Sequence, residues 1–327
     1  MKEGNPPMKL DRIGISAASL LLLAAPLAAH GLSTHTWVSA TGNDANSGTA
    51  SSPYADFATA AANTAAGGTV SVLGPGDYGP VTITQSITID GTGGGSINFA
   101  GLGEGIYVDT GAAANIVLRN ISINGGGTGS DAIYIASSGT TNVINVVIDG
   151  CLISGFSQIG VGLGSESPMY VTVRNTTIQG GTLGVRTFQN GITAPVTNYD
   201  HVSLDHVTVQ GATSAGVFTR NGNLDISNSN ISGNTGTGVP GIEADTYATL
   251  NVQNSMITSN TNGVCIFTNS TAVVNETNVA DNATNFEVCG GEVEGAGGAG
   301  PAPAEEGARS ATAAVPPDKP RLSKLRK

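Results

Sequence analysis

The chain is expected to fold as an all-β solenoid, in which short strands coil into stacked rungs. Three observations carry that expectation. A six-residue unit recurs seven times, and from Ile123 to Val279 its mean spacing is 26 residues. A second element, Gly or Ala followed by Ile or Val, alternates with it. The composition also suits many turns and few helices: 47 of 327 residues are Gly, about twice the usual share, and only 11% are charged. Repeats of this length read as one supersecondary unit each, which cannot bury its apolar face until neighbours stack on it.

In chain order, residues 1–31 read as an export signal. Lys9 and Arg12 precede an apolar run over 13–29, and Ala29-His30-Gly31 offers the small residues of a cleavage site. The mature protein is therefore expected to be secreted or periplasmic, without a membrane span. Residues 32–85 are assigned to an N-terminal cap and the first strands, with an Ala-rich short helix near 56–66. Residues 86–290 hold the coil, of about eight rungs. Residues 291–327 are rich in Ala, Gly, Pro and Glu and end in Lys319, Arg321, Lys324, Arg326 and Lys327. Such a segment buries too little apolar surface to fold and is expected to be a disordered tail.

Within the coil the unit reads Leu118-Arg119-Asn120-Ile121-Ser122-Ile123, then Ile148-Asp149-Gly150-Cys151-Leu152-Ile153, and continues in the same pattern to Val274-Asn275-Glu276-Thr277-Asn278-Val279. The third position is Asn at 120, 175, 228 and 254, which suits a turn needing left-handed backbone. Their amides are expected to hydrogen-bond along the column. The second element runs Gly105-Ile106, Ala132-Ile133, Gly160-Val161, Gly184-Val185, Gly216-Val217, Gly241-Ile242 and Gly263-Val264. Each repeat thus holds about three alternating strands.

These residues resemble the right-handed parallel β-helix of the pectin-lyase-like superfamily, over about residues 36–290. The opening resembles secreted bacterial members too: Trp37-Val38-Ser39, the segment Gly42-Asn43-Asp44-Ala45-Asn46-Ser47-Gly48-Thr49, and Gly74-Pro75-Gly76-Asp77-Tyr78. The resemblance implies a helix over the first rung and a ligand along the outer face of the sheet whose strands begin Gly-Ile or Gly-Val. It does not imply one activity, because this scaffold carries lyases, hydrolases, epimerases and proteins with no known reaction. The Asn-Thr-Asp, Asp-Asp, Gly-His-Gly and Arg-Ile-Lys motifs of polygalacturonases are absent, as is the Asp-Pro-His-Asp motif of alginate epimerases.

On that sheet the residues one and three places after the inward Ile or Val face outward. Three successive rungs give Arg186 and Phe188, Phe218 and Arg220, Glu243 and Asp245. Aromatic faces stack on sugar rings and Arg holds carboxylates in a bidentate manner, so the expected partner is a polysaccharide or cell-envelope component. Glu243 and Asp245 carry the oxygen ligands that Ca²⁺ takes. By resemblance to pectate lyases, Arg186 or Arg220 is a candidate base for proton abstraction beside a uronate carboxylate. Two functions stay open: a non-catalytic glycan-presenting surface, and a calcium-assisted polysaccharide lyase. A third arrangement makes no site at all, with Arg220 simply pairing with Asp245 across the strands.

Residues 32–290 contain four Arg, no Lys and 17 acidic side chains. That balance excludes nucleic acid, which needs many cationic phosphate contacts. Arg119, Asp149, Arg174 and Asp205 are expected to form an alternating charge ladder that fixes register. Of the three cysteines, Cys265 and Cys289 lie about one repeat apart, close enough on adjacent rungs for a disulfide, with unpaired thiols as the alternative.

Overall fold

The computed structural model describes residues 1, 32–137, 143–165, 168–189, 200–236, 238–289 and 311–314. The chain divides into Met1–Gly31 and Leu32–Lys327, and the whole coil lies in the second unit. The export signal expected over 1–31, nearly all of the expected tail, and the loop from 190 to 199 fall outside the described residues.

The strands form a parallel coil with three faces. A first sheet stacks nine strands, from Val81–Ile83 through Ile106–Asp109, Ile133–Ser137, Ile159–Ser165, Leu183–Gln189, Ala215–Arg220, Pro240–Asp245 and Asn262–Ile266 to Thr284–Val288. A second sheet runs from Ser33–Val38 to Thr271–Asn275, and a third from Gly76–Asp77 to Asn278–Ala280. Ala311–Ala314 adds antiparallel to Thr271–Asn275 at the end of the second sheet. The chain visits first, second and third sheet in turn. The strand Thr64–Val72 lies in the segment assigned to the cap and first strands, and the first and third sheets each stack nine strands, in keeping with the expected coil of about eight rungs.

Like stacks on like, as the repeat requires. Ile106, Ile133, Val161, Val185, Val217, Ile242 and Val264 are in register down the first sheet and fully buried. Each such side chain contributes about 1.5–3 kcal/mol by leaving water, and no strand could do this alone. The expected cap helix is present but shorter, at Phe57–Ala62. Asp56 accepts the Thr59 N–H at 2.6 Å to start it, and buried Phe57 seats it on the core. The residues expected to extend it to 66 instead enter the strand Thr64–Val72, whose Val70 and Val72 pack inward.

The turn between second and third sheets is left-handed at every repeat, with φ of 56° at Asn120, 66° at Gly150, 51° at Asn175, 54° at His206, 50° at Asn228, 48° at Asn254 and 47° at Glu276. The amides do not bond to one another as expected. Asn120 donates to Thr92 Oγ1 at 2.7 Å, Asn175 to Asp149 at 2.9 Å and Asn228 to Asp205 at 2.8 Å. Carboxylate and hydroxyl oxygens of the preceding rung are better acceptors within reach. The charge ladder resolves into two separate pairs, Arg119–Asp90 at 2.9 Å and Arg174–Asp149 at 3.0 Å. Asp205, though in register with Arg174, is taken by His206, Ser227 and Asn228.

Candidate functional site

The register of the first sheet places the six proposed residues in two adjacent outer columns. One runs Tyr107, Tyr134, Gly162, Arg186, Phe218, Glu243 and Cys265. The other runs Asp109, Ala136, Gly164, Phe188, Arg220 and Asp245. Rungs ~4.8 Å apart bring each residue against its column neighbours.

Arg220 is the centre of one cluster. Its guanidinium carbon lies 5.2 Å from the Phe188 ring and 5.5 Å from the Phe218 ring, within cation–π range. Its Nε donates to Asp245 Oδ2 at 2.6 Å, and its terminal nitrogen binds the same oxygen. Asp245 Oδ1 accepts from the Thr246 N–H at 2.7 Å and its hydroxyl at 2.8 Å. Asp245 was expected to face solvent. It points outward but is only 6% exposed, because the Arg220 guanidinium and Thr246 cover it. The cross-strand ion pair weighed above is therefore formed.

That geometry does not suit Ca²⁺ at Glu243 and Asp245. A guanidinium already stands where the cation would, and no cluster of three or more His, Cys, Asp or Glu among the described residues could hold a metal. Glu243 is half-buried, and its carboxyl is raised above the ordinary range by burial and then by Asp245, with Arg220 pulling the other way.

Arg186 is placed differently. Arg119, Arg174 and Arg220 each hold a carboxylate, whereas Arg186 holds none among the described residues. Its Nε is buried without an acceptor among the described residues. Its guanidinium carbon lies 5.8 Å from the Tyr134 ring. Tyr134 in turn stacks parallel to Tyr107, with centroids 6.1 Å apart. Asp131 is nearby, its carboxyl raised by burial and partly drawn back down by the Arg186 charge.

Gly162 and Gly164 give Tyr134 its place. A Cβ on Gly164 would fall on the Tyr134 hydroxyl, and one on Gly162 would meet its ring at 3.0 Å. The phenol thus lies across the next rung, toward Arg186. Tyr107, Tyr134 and Asp131 were not picked out from sequence. Ile106-Tyr107 and Ile133-Tyr134 occupy the same repeat position as Val185-Arg186, so extending the outward columns three rungs upstream would have found both tyrosines. The site therefore joins an uncommitted guanidinium to aromatic surface on either side.

Cys265 and Cys289 are joined by a disulfide, with Cα atoms 5.7 Å apart. Cys265 is directly opposite Glu287, so the bond runs diagonally between the last two rungs. Cys151 is free and buried, and burial pushes its thiol up to about 11, which keeps it protonated.

Among solved structures, the A-module of the Azotobacter vinelandii mannuronan C-5 epimerase AlgE6 is similar at 14% identity over 67% of this chain and 83% of that one, with a TM-score of 0.27. Curated proteins give no match. The family description of a right-handed β-helix region matches residues 104–284, more than half of the chain and the coil from the strand Ile106–Asp109 onward. With that match and three stacked parallel sheets, the chain belongs to the right-handed β-helix family.

Proposed function

We propose that this is an exported, non-catalytic β-helix protein whose first-sheet outer face binds an acidic glycan of the cell envelope or its surroundings. The observation that carries the reading is Arg186, the one described Arg without a carboxylate, set between Tyr134 and Phe218. The Arg186 guanidinium holds no carboxylate among the described residues, and a carboxylate or sulfate on a bound sugar is the acceptor its terminal nitrogens would take. Phe188, Phe218 and Tyr134 supply the faces on which sugar rings stack. Arg220 organises Phe188 and Phe218 while its charge stays with Asp245.

The test is titration of the mature protein with acidic and neutral oligosaccharides by calorimetry. Charge-assisted hydrogen bonds contribute about 1.5–3 kcal/mol, so Arg186→Gln should weaken an acidic ligand about tenfold or more. Neutral ligands should change little. Equal affinity of wild type and variant for every acidic glycan would refute the assignment.

The second reading is a polysaccharide lyase, now with Arg186 alone as candidate base, because Arg220 is tied to Asp245. Incubation with uronate polymers, with and without calcium, separates the two by the ultraviolet absorbance of unsaturated product. Product that disappears in Arg186→Gln would select the lyase; no product across a panel would select binding.

A further inference from the structure

Asp200 opens the second-sheet strand Asp200–Asp205 with its side chain turned into the core, 1% exposed. One carboxyl oxygen accepts the Met169 N–H at 2.9 Å. The other is buried and meets no donor among the described residues. The strand pairs with Met169–Arg174 and Gly222–Ser227 and packs against Leu183–Gln189, which in turn pairs with Ala215–Arg220. Their charged side chains are Arg174, Asp225, Arg186 and Arg220, and all four are on the outer surface of the coil. The inward neighbours are uncharged: Met169, Gly222, and the hydroxyls of Thr187 and Thr219, which are 2.8 Å apart.

Gly222 is in register with Asp200, and a methyl group there would sit 3.4 Å from the Asp200 carbonyl and 3.6 Å from each threonine hydroxyl. A polar seam thus runs inside the coil directly behind the outer face: Thr187 lies between Arg186 and Phe188, and Thr219 between Phe218 and Arg220. An ionised carboxylate with an unmet oxygen and no cation is costly in such surroundings, whereas a neutral carboxyl costs much less.

We propose that Asp200 is a proton-binding site inside the coil, and that the rungs behind Phe188 and Arg220 reach full stability only while its carboxyl is neutral. The inference stands without any assumption about the ligand of the outer face. Burial raises the Asp200 carboxyl to about 7, while in the unfolded chain an aspartate ionises near ~3.9. The stabilisation is complete below ~4, where both states hold the proton. It falls as pH rises, because the unfolded chain releases the proton first, and it is gone above ~7, where neither state holds it. The folding equilibrium should drop about tenfold per pH unit across that window, roughly a thousandfold in all.

The experiment compares urea unfolding of wild type and Asp200→Asn from about pH 4 to 9. The amide keeps an acceptor for Met169 and cannot ionise. Asp131 and Glu243, also raised by burial, are present in both proteins, so the difference between the curves isolates Asp200. The expected result is a wild-type loss between ~4 and ~7 that the variant lacks; parallel curves would overturn the proposal. Carbon-13 NMR of labelled aspartate carboxyls in the wild type gives an answer even where the variant does not fold. One carboxyl should titrate near neutrality, and complete ionisation of every aspartate by about pH 5 would also overturn it.

Discussion

Two arginines on neighbouring rungs share a sheet and an aromatic setting yet differ in what they can do. Arg220 is paired because Asp245 follows it at the next rung of the same column; Arg186 is followed by Phe218 and preceded by Gly162. One register position decides which charge remains for a ligand. Asp245→Asn should release Arg220 and lower stability by about 1.5–3 kcal/mol, the range for a charge-assisted hydrogen bond, read by urea unfolding. The turn residues make a second test at this scale. Asn175 holds φ at 51° and donates to Asp149. Asn175→Ala should cost about 1–2 kcal/mol through left-handed strain in addition to the lost bond, while Asn175→Gly loses only the bond and should cost less.

Among elements, the Gly of the later pairs, Gly216-Val217 and Gly241-Ile242, acquires a reason that the repeat alone does not supply. Asn234 and Asn260 are buried and linked, with Asn234 donating to Asn260 Oδ1 at 2.9 Å and Asn260 to Asn282 Oδ1 at 3.1 Å. A Cβ on Gly216 would meet Asn234 Nδ2 at 2.6 Å, and one on Gly241 would meet Asn260 Nδ2 at 2.7 Å. Glycine makes room for an interior amide ladder. Asn260→Ala removes the acceptor of the Asn234 backbone N–H and side-chain amide together, and should cost about 3 kcal/mol, measured as a lowered urea midpoint. The acid side of stability belongs here too. Asp205 is held down at about 2 by hydrogen bonds from Asn228, His206 and Ser227, and Asp90 and Asp149 are also lowered. Their contribution is present above the unfolded aspartate range and is lost as pH falls through ~4 toward 2, which an acid titration of the folded fraction reads directly. This loss lies on the opposite side of pH 4 from that expected of Asp200.

For the whole molecule, stability is a chain of rung-to-rung contacts, so damage at one end should stay there. The last first-sheet strand, Thr284–Val288, is exposed at every residue, including Phe286 and Val288. The Cys265–Cys289 disulfide ties it to the preceding rung across 24 residues, a loop whose closure is expected to be worth about 3 kcal/mol. Reduction should speed hydrogen exchange in Thr284–Val288 and Asn278–Ala280 and leave the amides of Ile106–Asp109 and Ile133–Ser137 unchanged. Uniform acceleration along the coil would show instead that the rungs unfold as one unit.

The fold was legible because its information is local and repeated. An apolar position every 26 residues or so and a left-handed turn beside it suffice to specify stacked rungs, and even the two outward columns with Arg186, Phe188, Phe218 and Arg220 follow from counting along a strand of period two. What counting along a strand does not reach is the choice among neighbours in space. Whether Asp245 meets solvent or Arg220, whether turn amides bond each other or an aspartate, and whether a buried carboxyl at Asp200 finds a donor all depend on side-chain direction across rungs. Those choices were made by competition for a few polar partners in a packed interior, and only the tertiary structure reveals which group won.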